Sequence, residues 1–180
     1  MFDKVRVLSM VCLGVLSALL AVGCADSAVP PRDKSLVLCD GRYLSPTGRY
    51  VVIVPAGSGI RYAIENANTG ATELNYRDNA GRHMLWFLYW GNDDSLWHYS
   101  GDNGRFMVWR RSPAGAWISD DVLSFSDGYI FNDELIRKMP PGVLANLEPA
   151  LRERWGLVEE RDAQGNVIVT RRGGQPDWGR

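Results

Sequence analysis

The chain has 180 residues, 46% of them hydrophobic, which is enough for one domain with a real core and too short for several. Its 20 basic and 21 acidic residues give a formal net charge of −1, so no strong field points to a nucleic-acid partner. Two of the three cysteines fall in the first 24 residues, and no disulfide framework follows from them.

Met1 to Gly23 begins with Lys4 and Arg6 and continues as an uncharged, mostly apolar run of 16 residues from Val7 to Val22. That run is shorter than the roughly 20 residues of a spanning helix, and it reads as an export signal over 1–23. The segment ends Leu20-Ala21-Val22-Gly23-Cys24, which resembles the lipobox of bacterial lipoproteins, with Ala21 where that pattern favours leucine. Ala21-Val22-Gly23 also fits an ordinary small-residue cleavage site. The resemblance implies that Cys24 becomes the mature N-terminus and carries palmitate-type acyl chains, each buried methylene adding ~0.8 kcal/mol of membrane affinity. It also implies a place in the cell envelope, with Ala25 after the cysteine favouring the outer membrane facing the periplasm and Asp26 leaving the inner membrane open.

On that reading the mature chain runs from 24 to 180, with 18 basic against 20 acidic residues. Residues 24–34, with Pro30-Pro31, form the lipid anchor and tether; 35–172 form a single β-rich domain, and 173–180 a loose tail. That leaves Cys39 with no second cysteine for a disulfide. A small buried hydrophobe at the start of a strand is its simplest role, and a reactive or intermolecular thiol is the alternative.

A first strand is predicted at Ser35–Cys39. Leu44-Ser-Pro-Thr-Gly-Arg-Tyr-Val-Val-Ile-Val54 follows, a turn around Pro46 and Gly48 and then a β-branched run. It is similar to the opening of blades in TolB-like and WD-type propellers. Gly57-Ser58-Gly59 turns the chain into Ile60–Glu65, and Asn66 to Gly70 turns it again into Ala71–Tyr76. Met84 to Trp109 then reads as three strands joined by the polar turns Gly91–Asp94 and Gly101–Gly104, and it holds Trp86, Trp90, Trp97 and Trp109. In its first strand both parities are apolar, so it is covered on both sides. Leu96–Tyr99 and Arg105–Trp109 mix apolar and polar positions, as expected nearer the surface.

Weaker strands are predicted at Val122–Phe125 and Tyr129–Phe131 around Asp127-Gly128. The period then changes: Asn132 or Asp133 caps a short helix through Met139, Pro140-Pro141 break it, and Val143, Leu144, Leu147 and Leu151 repeat at helical spacing up to Trp155. Pro149 kinks or restarts that segment and Gly156 ends it. Leu157–Arg161 and Val167–Arg171 form a last hairpin. The expected fold is mainly β, with antiparallel meanders forming two packed sheets or a partial propeller, a short C-terminal helix and a final hairpin. A closed propeller needs typically four or more blades, which this length does not supply.

Chemistry-bearing groups are sparse. Ser100 with His98 or His83 and an aspartate would make a nucleophile set, but no Gly-x-Ser-x-Gly elbow is present, and a serine and histidine on a sheet edge is the simpler reading. Two histidines fifteen residues apart make a poor zinc site, and no metal or cofactor is expected. Asp93-Asp94 and Asp120-Asp121 could serve as paired carboxylates, yet both sit at predicted turns, where aspartate is favoured for backbone reasons. Trp90, Trp97 and Tyr99, close to turns, are the aromatic candidates for recognition.

The function expected from these features is non-enzymatic: an envelope lipoprotein that binds a protein partner. Its size, leader and strand pattern resemble periplasmic immunity proteins that block cell-wall-degrading effectors. Ser58, Trp90, Asp93, Asp94, Trp97, Tyr99, Asp102 and Asn103 are the candidate contact residues, with the acidic tips meeting a basic cleft. A glycan- or peptidoglycan-binding module is the alternative, and an envelope hydrolase the remaining one.

Overall fold

The computed structural model describes residues 33–124 and 130–173. The expected signal segment, Cys24, the tether up to 32, the Asp127-Gly128 turn and the tail from 174 onward lie outside the described residues. No helix among the described residues is long and apolar enough to cross a membrane.

All strand pairings are antiparallel, and three sheets result. The central one has six strands in the order β1, β6, β7, β8, β9, β10: β1 (Leu36–Val37), β6 (Trp86–Trp90), β7 (Leu96–Ser100), β8 (Arg105–Arg111), β9 (Trp117–Ser124) and β10 (Ile130–Phe131). A four-stranded meander holds β2 (Gly41–Leu44), β3 (Tyr50–Val54), β4 (Gly59–Asn66) and β5 (Thr72–Gly81). The hairpin β11 (Leu157–Arg161) and β12 (Val167–Arg171) follows α1 (Asp133–Arg137), α2 (Pro141–Asn146) and α3 (Pro149–Arg154). No sheet among the described residues closes into a barrel.

The layering follows from β6, whose five residues are all buried. Trp86, Leu88 and Trp90 share a core with Val52 and Val54 of β3 and Ile60, Tyr62 and Ile64 of β4. Phe87 and Tyr89 point the other way, into a core with Leu135 and Ile136 of α1, Val143 and Leu144 of α2, Trp155, Leu157 and Val169. Period-2 alternation therefore assigns one set of side chains to the four-stranded sheet and the other to the helices and hairpin. The two-sided coverage expected of this strand is present.

Its neighbour differs from expectation. All five residues of β7 are buried, including His98 and Ser100, so the strand is interior and not close to the surface. Its polar residues are covered because β7 lies between β6 and β8, with the four-stranded sheet over the face that His98 and Ser100 share with Leu96. At the other end of the aromatic stretch, Met84 is exposed and precedes the strand.

Local signals place the remaining elements. Asn132 caps α1, its Oδ1 accepting from the Leu135 amide at 3.1 Å. Pro141 and Pro149 each start a new helix, where a missing N–H is harmless. Gly156 has a φ of +63°, and a Cβ there would run into the Arg172 carbonyl oxygen, so this turn into the hairpin demands glycine. β5 runs on past the expected Tyr76 to Gly81, through Arg77, Asp78 and Asn79, because Asp78 finds buried partners that a sequence pattern does not reveal.

Leu88 is completely buried between two layers, whereas Leu44 is 57% exposed. Leu88→Ala should therefore lose about 2–5 kcal/mol of stability and Leu44→Ala less than about 0.5 kcal/mol, measured by denaturant unfolding. Equal losses would contradict the layering.

Candidate functional site

Successive turns of a meander lie at opposite ends of its strands, and this divides the surface of the molecule. One end carries the turns 45–49, 67–71 and 91–95. Arg49 of the first holds Asp94 of the last at 2.7 Å, and the Thr47 hydroxyl donates to both Asp94 oxygens. The other end carries the loop 57–59, the 81–85 connection and the turn 101–104. Here the Arg82 amide donates to the Ser58 carbonyl (2.8 Å), the Gly101 amide to the Leu85 carbonyl (2.8 Å) and the Gly81 amide to Asp102 (2.7 Å). Five residues of strand at ~3.4 Å each put the two ends about 17 Å apart.

The second end holds an open recess of about 510 Å³ lined by Ser58, Arg61, Arg77, Asp78, Asn79 and His83 together with small residues of the same strands. Arg61 and Arg77 are direct partners across β4 and β5. Both are exposed, and neither forms a salt bridge among the described residues, whereas Arg42, Arg49, Arg105, Arg110, Arg111, Arg171 and Arg172 all do. The Arg61 guanidinium lies against Gly57, with Nη2 2.7 Å from where a Cβ would stand. On the rim, His83 Nε2 sits 3.2 Å from the Asp102 carboxylate that also holds the Gly81 amide.

Beneath the recess lies a buried polar network joining the two sheets. Asp78 Oδ1 accepts from Asn103 Nδ2 (2.7 Å) and the Ala80 amide (3.2 Å), and Oδ2 accepts from the Tyr76 hydroxyl (3.2 Å). Arg105 Nε and His98 Nε2 stand 3.7 and 4.0 Å from the same oxygen. The Tyr62 hydroxyl accepts from Trp109 Nε1 (2.8 Å) and is 3.2 Å from His98 Nδ1. With Tyr62 donating to Nδ1, the hydrogen of His98 is left on Nε2, which is 4.0 Å from Asp78 and makes no hydrogen bond among the described residues. Burial pushes the His98 pKa down to about 4 against the opposing pull of Asp78, so the ring is neutral at pH 7. Burial also pushes the hydroxyls of Tyr62 and Tyr76 well above the usual tyrosine value, which keeps both as donors.

The expected contact residues are thus separated into three places. Ser58, Asp102 and Asn103 meet at the recess end. Asp93 and Asp94 lie at the opposite end; Asp93 Oδ1 accepts from the Ser95 amide and hydroxyl, and Asp94 is buried against Arg49. Trp90, Trp97 and Tyr99 are core residues with 0%, 2% and 3% of their surface exposed, because both faces of β6 and β7 are covered. The three loops therefore do not form one acidic plug. His98 and Ser100 are fully buried as well, on an interior strand and not on a sheet edge. No hydrogen bond among the described residues links Ser58 to His83.

Arg61 and Arg77 escape a search for acidic tips and aromatic anchors. The Asn66–Gly70 turn alone would set 61 opposite 76; a register shift between Ile64 and Glu65 brings Arg61 opposite Arg77. No family model, no curated protein and no solved structure matches the chain.

Two consequences are measurable. Like charges directly opposite each other on a sheet are unfavourable, so Arg77→Thr should raise stability by about 0.2–1 kcal/mol in denaturant unfolding; a loss would show that Arg77 has a favourable role in the free protein. The unfolded chain protonates His98 near its ordinary pKa of 6.5, and the folded chain only near 4. Stability from this group is therefore complete above pH 6.5 and falls as the pH drops toward 4, by about 3 kcal/mol. Between pH 7 and 4 the wild type should lose that much more stability than His98→Gln, and parallel pH profiles would contradict the burial of a neutral imidazole. Asp78, Arg105, Tyr62 and Tyr76 face the ring in both proteins.

Proposed function

We propose that the protein is a non-enzymatic cell-envelope lipoprotein, held by acyl chains on Cys24 at the outer membrane facing the periplasm, that binds a protein partner at its recess end. In its most concrete form it is an inhibitor or immunity protein against a cell-wall-degrading effector. One observation carries this reading: the chain enters the domain at the end opposite the recess. Asp33 accepts from the Tyr89 hydroxyl at 2.5 Å, and the Ser35 carbonyl accepts from the Trp90 amide at 2.9 Å, which fixes the entry beside the 91–95 turn. A lipid on Cys24, joined to that end through the 24–34 tether, would leave the 57–59 and 101–104 loops clear of the attachment point.

The shape of that end fits the same reading. Its loops are pinned to one another by backbone and Asp102 hydrogen bonds, and a preorganised surface loses little entropy on binding. The side chains displayed there are polar and charged, as a rim that steers a complementary partner requires.

Radioactive palmitate should label the wild-type protein and not Cys24→Ala, and a photo-crosslinking residue at Ser58 should capture a single envelope protein while one at exposed Asn92 does not. The captured protein should lose cell-wall-degrading activity in the complex. Labelling that survives Cys24→Ala, or capture from Asn92 instead of Ser58, would overturn the proposal.

A further inference from the structure

Arg61 and Arg77 are the starting point. Two arginines placed directly across an antiparallel pair repel each other, and the other strand arginines of the two larger sheets, Arg42, Arg105, Arg110 and Arg111, each have a carboxylate within reach. The guanidinium of Arg61 is also given a seat: Gly57, with a φ of +142° and no side chain, leaves room for Nη2 where any Cβ would displace it. Asp78, the acidic group in the wall, is 8% exposed, has its oxygens engaged by Asn103, Ala80 and Tyr76, and has Arg105 3.7 Å away as its ion-pair partner, so its charge is directed into the network below the recess.

We infer that the recess is a binding site for an oxyanion, a carboxylate or phosphate group presented by the partner and held between the Arg61 and Arg77 guanidinium groups. This deepens the reading of the molecule as a partner-binding protein and rests on it. The guanidinium fork matches the paired oxygens of either group, and two arginines opposite one another in the register can both turn to a single anion to give charge-assisted bonds. Repulsion across the pair is relieved once the anion is bound, so the arrangement is unfavourable in the free protein and favourable in the complex. Ser58 and Asn79, exposed in the same lining, supply neutral donors around the charge. The charge sense is the reverse of an acidic tip entering a basic cleft: here the partner provides the anion.

The inference is tested by calorimetric titration of the full chain with inorganic phosphate and with succinate, at constant ionic strength against chloride. At least one of the two should bind saturably, and Arg61→Gln/Arg77→Gln should weaken it at least tenfold, while Arg42→Gln, which removes a salt-bridged arginine of the same sheet, leaves it unchanged. Stronger binding of phosphate identifies a phosphoryl group as the source and stronger binding of succinate a carboxylate; either supports the site. Saturation by neither anion, or equal binding by the double variant, overturns it. Capture of the partner from Ser58 that persists in the double variant overturns the oxyanion site while leaving the partner-binding proposal standing.

Discussion

The architecture depends on one constraint: the central strands β6 and β7 bury both of their faces. A strand covered on one side asks only for a partner sheet, but Trp86, Leu88 and Trp90 on one face and Phe87 and Tyr89 on the other require two separate layers. The four-stranded meander provides the first and the helices with the final hairpin the second. Neither layer could fold over the other's core, because a one-residue slip in β6 would exchange the two sets of side chains. Everything that needs contact with solvent or a partner is consequently displaced from the middle of the sheet to the ends of its strands.

The polar groups inside the sandwich follow from the same constraint. His98 and Ser100 share the parity of Leu96 and so must face the four-stranded sheet. Tyr62 and Tyr76 approach from that sheet, with ring centroids 5.5 and 5.3 Å from His98, and Asp78 brings a carboxylate that Asn103 and Ala80 also satisfy. A buried network of this kind is costly when incomplete and specifies one register when its members meet, since sliding either sheet would separate Asp78 from Asn103 and Tyr62 from Trp109. It also ties the interior to the recess, because Asp78 belongs to both. His98 and Ser100, expected on a sheet edge, are fully enclosed between the sheets.

Much of the fold was legible because it rests on local signals. The two-sided pattern of β6, the Asn132 cap, the restarts at Pro141 and Pro149, the glycine at 156 and the hairpin on either side of residues 162–166 all express short-range rules. What was not legible depends on contacts distant in the sequence. Nothing near His98 tells that Tyr62 and Asp78 will cover it, so β7 reads as a surface strand. For the same reason Trp90, Trp97 and Tyr99 invite a binding role that burial removes, and Asp94 looks like a free acidic tip until Arg49 arrives from 45 residues away. The candidate residues divide along similar lines: Ser58, Asp102 and Asn103 were offered from turn chemistry and lie at one end of the strands, while Arg61 and Arg77 become notable only when the hairpin register sets them opposite one another.

The most direct test of this division, with the core in the middle and the exposed loops at the ends, is native-state hydrogen exchange of the full chain. The amides of β6 and β7, including those of Trp97, His98 and Tyr99, should exchange only through global unfolding, at the free energy obtained from denaturant, while amides of the 57–59 loop and the edge strand β2 exchange through smaller openings. Exchange of the His98 and Tyr99 amides at the rates of β2 would contradict the burial of the central strands on both faces.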